Sequence, residues 1–140
     1  TAAALRKGWY FSGDAAYSDE AGFVTVMGRL DHTIKTGGEN VHPSEVENIL
    51  FDHPEIADAA VVGLPSNKWG QVVCAAITPK NRKLTADALD QYCQESPDLA
   101  DFKRPRHYFF LDKIPSNSTG KVERGRLKEN LLDLLERPLD

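Results

Sequence analysis

Apolar residues fall into strand-like and helix-like patterns along the chain. Residues 22 to 28, GFVTVMG, alternate with period two, the spacing of a half-buried strand. The turn signal SDEAG in front of them predicts a hairpin with WYFSGDAAY, residues 9 to 17. Two longer runs, IADAAVVGLP (56 to 65) and QVVCAAITP (71 to 79), are apolar over strand length and are separated by SNKWG. HYFFLDKIP (107 to 115) reads as a further strand. Val46, Ile49 and Leu50 follow helical spacing behind a capping box of Ser44 and Glu47. A second helix capped at Thr85 carries Leu89, Tyr92 and Cys93 on one face. Leu127, Leu131, Leu134 and Leu135 stripe a final helix ahead of Pro138.

Strands and helices therefore interleave. This predicts an α+β fold in which helices cover a small sheet, preceded by a β-hairpin tail. The polar, Gly-rich stretch RLDHTIKTGGENVHP (29 to 43) has the composition of a domain joint or binding loop, so the expected division is 1–30 and 31–140. The chain opens in mid-pattern without an initiator Met, and a piece of a longer protein is expected.

Composition narrows the function classes. With 41% hydrophobic and 27% charged residues, 140 residues suit one ordinary domain with a real core. The net charge of -4, from 17 Lys+Arg against 21 Asp+Glu, provides no broad cationic field for nucleic acid or anionic lipid. No stretch approaches the roughly 20 apolar residues of a membrane span. Cys74 and Cys93 lie in apolar patterns without C-x-x-C or Cys/His spacing, so they read as buried thiols of a reducing, cytoplasmic compartment, and no metal site is expected.

One lysine stands out. Lys121 follows a glycine in the polar turn PSNSTGKVER, directly ahead of the last helical pattern. It is not a nucleotide phosphate loop, because Pro115 occupies the first glycine position and Val122 the place of the magnesium-binding hydroxyl. Taken singly, the other candidates are open. Asp14 suits a turn or the hydroxyls of a ribose, and Arg29 with Asp31 could be a solvated pair. Gly37 and Gly38 suit a hairpin or a close backbone approach to a ligand.

In sequence order, however, GWYFSGD, GRLDHTIKTGGENVHPSEVE and PSNSTGKVER resemble the C-terminal part of the adenylate-forming enzymes, the AMP-forming acyl- and aryl-CoA synthetases. The resemblance covers nearly the whole chain. GGENVHPSEVE looks like the CoA ligases, since peptide-synthetase adenylation domains carry Arg-Ile-Glu where this chain has Asn40, Val41 and His42. WGQVV and DFKRPRHYFFLDKIP are similar to benzoate-type ligases. Ser12 stands where many relatives have Thr, a change that keeps the hydroxyl.

The resemblance implies a reaction in which a carboxylate is joined to AMP from ATP and then passed to the thiol of CoA. It further implies that Lys121 is the adenylation lysine on a flexible turn, that Asp14 binds the ribose, and that Arg29 contacts the nucleotide. Asp31 would be the hinge of a rotating C-terminal domain. Gly37 and Gly38 would line the path of the pantetheine arm, and Trp69, Phe102, Arg104 and Arg106 would meet the CoA nucleotide. The ATP phosphate loop, the Mg2+ site and the carboxylate pocket are expected in the N-terminal domain, the partner in the full-length enzyme. The fragment alone is expected to be inactive, with exposed strands that promote association. The alternatives are a domain that loads a carrier-protein thiol, and a non-catalytic binding module of the same fold. His32 and His42 have no role beyond the loop, and the acid, aromatic or fatty, is left open.

Overall fold

The structure is a computed structural model and describes residues 5–135 and 139. Pro138, expected to follow the last helix, lies outside the described residues.

Its centre is a long antiparallel pair, β7 (Ile56–Ser66) and β8 (Gly70–Pro79). Both runs are apolar at nearly every position because both faces of the sheet are covered, which removes the usual alternation. On one face Ala59, Val61, Val73, Ala75 and Ile77 pack with Val46 and Leu50 of α1 (Pro43–Phe51) and with Leu89 and Cys93 of α2 (Ala86–Glu95). On the other, Ala60, Val62, Leu64, Val72, Cys74 and Ala76 meet Leu127 and Leu131 of α3 (Arg124–Leu134). This is the expected α+β architecture, built as three layers. The two free cysteines sit on opposite faces of the sheet, and burial pushes Cys74 up to about 12 and raises Cys93.

The far edge of β8 is shared. Near Gly70 it pairs with β5 (Ile34–Thr36), whose other side carries β6 (Glu39–Val41). From Cys74 to Ile77 it pairs in parallel with β9 (His107–Phe110). Val72 and Val73 fall between these two partners.

The N-terminal segment stands apart from this sheet. β1 (Leu5–Arg6) pairs with β2 (Trp9–Tyr10), and β3 (Asp14–Ser18) with β4 (Val24–Arg29). The expected strand 9–17 is thus broken at Phe11–Gly13, where Gly13 adopts φ 80°.

Two helix details differ from expectation. α1 starts two residues earlier than the Ser44 box predicts. His42 is the N-cap, its backbone N–H donates to Glu45 Oε2 at 3.3 Å, and Pro43 supplies a preset φ at the first helical position. Ser44 instead donates to the Met27 carbonyl, tying α1 to β4. In α3 Leu127 and Leu131 are buried and Leu135, at the C-cap, packs partly against the same cluster, but Leu134 is exposed.

Candidate functional site

The gap between β5 and β9 on the edge of β8 is a concavity of about 400 Å³, lined by Thr36, Gly37, Trp69, Val73, Phe102 and Arg106, among others. The sequence builds it from three local devices. Ser66, buried at the end of β7, accepts the backbone N–H groups of Lys68 and Trp69 through its hydroxyl at 3.2 and 3.1 Å, which fixes the turn that presents the indole. Gly37 donates its N–H to the Trp69 carbonyl at 3.0 Å, and a side chain there would begin 3.1 Å from the indole ring. With φ 57°, this position needs glycine for both conformation and space. Arg106 donates its backbone N–H to Val73 O at 2.8 Å, so the turn before β9 closes the opposite wall with Phe102 above it.

Chemically, this is a slot with two partly exposed aromatic walls and a guanidinium at its rim. Lys68 Nζ lies 4.9 Å from the Trp69 ring centre, and Lys103 Nζ lies 5.7 Å from that of Phe102. Such a slot suits a flat heterocycle carrying an attached anion.

Arg104 does not belong to it. Its side chain is only 12% exposed, held by Asp90 and by Asp101 at 3.1 Å, and it faces a separate cavity beside α2. Burial opposes its charge, but the hydrogen bonds to Asp90 and Asp101 outweigh that and lift it above the ordinary arginine value. It is a clamp between α2 and the turn before β9. Lys103 is similarly engaged, with Glu45 at 2.9 Å. Of the three basic side chains in FKRPR, only Arg106 lines the groove.

Asp14, Arg29 and Asp31 form a second, exposed cluster at the base of the β3–β4 hairpin. Asp14 and Arg29 are cross-strand partners, and Arg29 lies 3.5 Å from the Asp14 carboxylate and 3.4 Å from that of Asp31. The guanidinium also donates to Ser12 O and covers Gly13, where a Cβ would meet it at 3.1 Å. Asp31 sits in a 3-10 turn, Leu30–His32, that joins β4 to β5. Leu30 N–H to Gly13 O at 2.8 Å is its tie back to the hairpin. His32, half-buried in that turn, is held below the ordinary histidine value by burial first and by Arg124 next. Gly38, at φ 85° in the β5–β6 turn, meets nothing within 4 Å of its absent Cβ.

Lys121 belongs to neither cluster. It is exposed, and its ammonium has no ion-pair partner among the described residues. The turn beneath it, expected to be flexible, is closed by hydrogen bonds. Asn117 Oδ1 accepts from Thr119 N–H and Lys121 N–H, both at 3.0 Å, and from the Thr119 hydroxyl at 2.7 Å. Asn117 N–H donates to Lys121 O at 2.8 Å, and Ser116 bridges Val122. Three residues on, Arg124 bonds Glu47 at 2.9 Å and Val61 O at 2.7 Å in a nearly buried pair. Asn117 and Lys68 were not singled out in the sequence, and Glu47 was read only as half of a helix-capping box. Only Asn117 left a signal, as an asparagine ahead of Ser-Thr-Gly, the composition of a closed turn.

Three stations, a ring-and-anion slot, a carboxylate–guanidinium corner and a free ammonium on a fixed turn, thus share one small α+β domain. Residues 45–121 match the family described as the AMP-binding enzyme C-terminal domain, and the chain belongs to that family. Among particular proteins, it is 50% identical over 131 residues to a 4-chlorobenzoate–CoA ligase of Arthrobacter sp, covering 94% of this chain and 25% of the relative. A 2-succinylbenzoate–CoA ligase of Geobacillus sp. (strain WCH70) is 41% identical, with 92% of this chain and 26% of the relative covered. The structure of o-succinylbenzoate CoA synthetase from Bacillus subtilis with its acyl-adenylate intermediate matches with a TM-score of 0.82 and 36% identity, over 99% of this chain and 27% of that one. The same enzyme is also solved with ATP and a magnesium ion. The chain spans about a quarter of the length of the curated relatives it matches.

Proposed function

We propose that residues 31–140 are the moving C-terminal domain of an AMP-forming acyl- or aryl-CoA ligase, and that residues 1–30 are the tail of its N-terminal domain. The reaction is carboxylate + ATP + CoA to acyl-CoA + AMP + pyrophosphate. Lys121 carries this reading, as an unpaired ammonium displayed on a hydrogen-bonded turn.

In the first half-reaction a carboxylate oxygen attacks the α-phosphorus and the bond to pyrophosphate breaks. Negative charge gathers on the phosphoryl oxygens, and the Lys121 ammonium is a compact cation to meet it. Because the turn is closed, the lysine enters and leaves the site by motion of the whole domain, with the Asp31 turn as hinge. Asp14 accepts from the ribose hydroxyls, and Arg29, already between Asp14 and Asp31, contacts the nucleotide. In the second half-reaction the Gly37–Gly38 face replaces the lysine. The pantetheine arm passes along it, while the Trp69–Phe102–Arg106 slot holds the CoA nucleotide. Arg104 supports the slot by holding the turn before β9. Magnesium and the ATP phosphate loop belong to the N-terminal domain. Aromatic acids are the favoured substrates, supported by the benzoate-type relatives. A cytoplasmic setting accords with two free, buried thiols.

The test uses the full-length enzyme with Lys121→Ala, timing acyl-adenylate formation and, separately, thioester formation from supplied acyl-adenylate and CoA. The first is expected to slow by about a hundredfold or more while the second is retained. Equal rates in both halves would remove Lys121 from the mechanism.

A further inference from the structure

We propose that Asn117 is a positioning residue for Lys121, holding the lysine backbone at the height and direction that adenylation needs. This rests on the reading of Lys121 given above. The geometry points to one side-chain oxygen as the organiser of the turn. Asn117 Oδ1 takes three hydrogen bonds, from the Thr119 N–H and hydroxyl and from the Lys121 N–H, at 2.7 to 3.0 Å. The Asn117 backbone completes the ring, donating to Lys121 O at 2.8 Å and accepting from Gly120 N–H at 3.0 Å. Lys121 is thus held on both sides of its peptide unit by a single residue.

The need for such a hub follows from what surrounds it. Gly120 stands at φ 83° with open space around it, so its own backbone preferences do little to fix the residue that follows. Lys121 is exposed, and no packing or ion pair among the described residues steers its side chain. Beyond the turn the chain is secured twice. Val122 packs against the cluster under α3, and Arg124 is bonded to Glu47 and Val61 O. Before it, Ile114 is buried and Pro115 O accepts Glu123 N–H at 3.0 Å. With Ser116 bridged to Val122, the stretch 117–121 is the turn between two anchors, and the Asn117 side chain closes it. The ammonium interacts through charge that varies with distance, so a shift of the lysine Cα is felt directly in the transition state.

All three side-chain bonds are accepted by Asn117 Oδ1 and none involves its side-chain nitrogen. This gives a sharp pair of variants in the full-length enzyme. Asn117→Leu keeps the size and removes the acceptor, and Asn117→Asp keeps an acceptor oxygen. Asn117→Leu is expected to lower kcat for acyl-adenylate formation by about ten- to a hundredfold, with KM for ATP and the rate of thioester formation from supplied acyl-adenylate within about twofold. Asn117→Asp is expected to recover most of the lost rate. Trypsin cleavage after Lys121 is expected to quicken in the Leu variant and not in the Asp variant, a readout independent of activity. Loss of both half-reactions together would make Asn117 a general structural residue and overturn the proposal, as would unchanged adenylation in Asn117→Leu. Lys121→Ala, run alongside, separates the two levels. If it abolishes adenylation while Asn117→Leu does not, only the positioning role falls. If Lys121→Ala leaves adenylation intact, the reading beneath it falls as well.

Discussion

The two long hairpins of this chain, β3–β4 and β7–β8, are both antiparallel pairs rich in Val, Ala and aromatic neighbours, yet their surroundings are opposite. Val61 and Val62 of β7 are fully enclosed, one toward α1 and α2 and the other toward α3. Val24 and Val26 of β4 are 68% and 65% exposed, and Phe23 and Tyr17 beside them are exposed too. Val24 and Val26 point the same way, two residues apart, as a sheet face does when it is built to pack. Exposed apolar side chains scattered singly need no explanation, but an alternating row of them does. The pattern of β7–β8 is answered within the chain; that of β3–β4 is not. This is the behaviour expected if the hairpin belongs with the N-terminal domain, and the Asp14–Arg29–Asp31 cluster would then sit at that boundary.

The largest effect is expected at the sheet's covered face. Leu131→Ala removes a fully buried side chain from under β7 and β8 and should cost about 3 kcal/mol in denaturant unfolding, from transfer and cavity together. A cost below about 1 kcal/mol would mean that α3 is not part of the folded unit.

A smaller effect sharpens the contrast, because the same substitution can be made in each hairpin. Val61→Ala deletes two buried methyl groups and is expected to cost about 2 kcal/mol. Val26→Ala in this chain is expected to stay within about 0.5 kcal/mol, and to cost more once the N-terminal domain is restored. Equal costs in the chain alone would show that something already covers the hairpin. Sedimentation of the two variants would then tell whether that cover is a second copy, since an exposed strand edge invites association.

Much of this was legible in the sequence, and the reasons are local. The continuous apolar runs of β7 and β8 and the Thr85 cap depend on neighbours along the chain, and the structure carries them as read. What escaped depends on residues far apart. Glu47 looked like half of a capping box with Ser44, but its carboxylate accepts Val61 N–H at 3.0 Å and pairs with Arg124. The cap passed to His42, where Pro43 sets the helix start. Arg104 and Arg106 are two residues apart and chemically alike, and nothing local says that one is clamped by Asp90 and Asp101 while the other lines a groove. The Lys121 turn read as flexible from its glycine, whereas the fixing oxygen of Asn117 lies four residues upstream. Tertiary partners decide these points, and spacing alone does not encode them.

The smallest effect concerns acid, and it distinguishes the regions by their histidines. His107 on β9 is held below the ordinary value of 6.5 by burial against the sheet. His32, in the turn joining hairpin to sheet, is lowered by burial first, then by Arg124, Arg29 and Lys128, with Asp31 opposing. For both, the folded state favours the neutral ring, so the unfolded chain binds protons first as pH falls. Their contribution to stability is complete above pH 6.5 and is lost as pH drops below it toward the folded values. The melting temperature should therefore decline across this window, and the decline should be shallower in His107→Gln and shallower still when His32→Gln is added. Because Arg124, Arg29 and Lys128 already act on His32, its protonation adds a fourth cation where the hairpin meets the sheet. Amide exchange near Leu30 and Thr33 should accelerate in acid along with the β8–β9 ladder if the joint responds as argued. Acceleration confined to β8 and β9 would assign the whole acid response to His107 and leave the joint indifferent to pH.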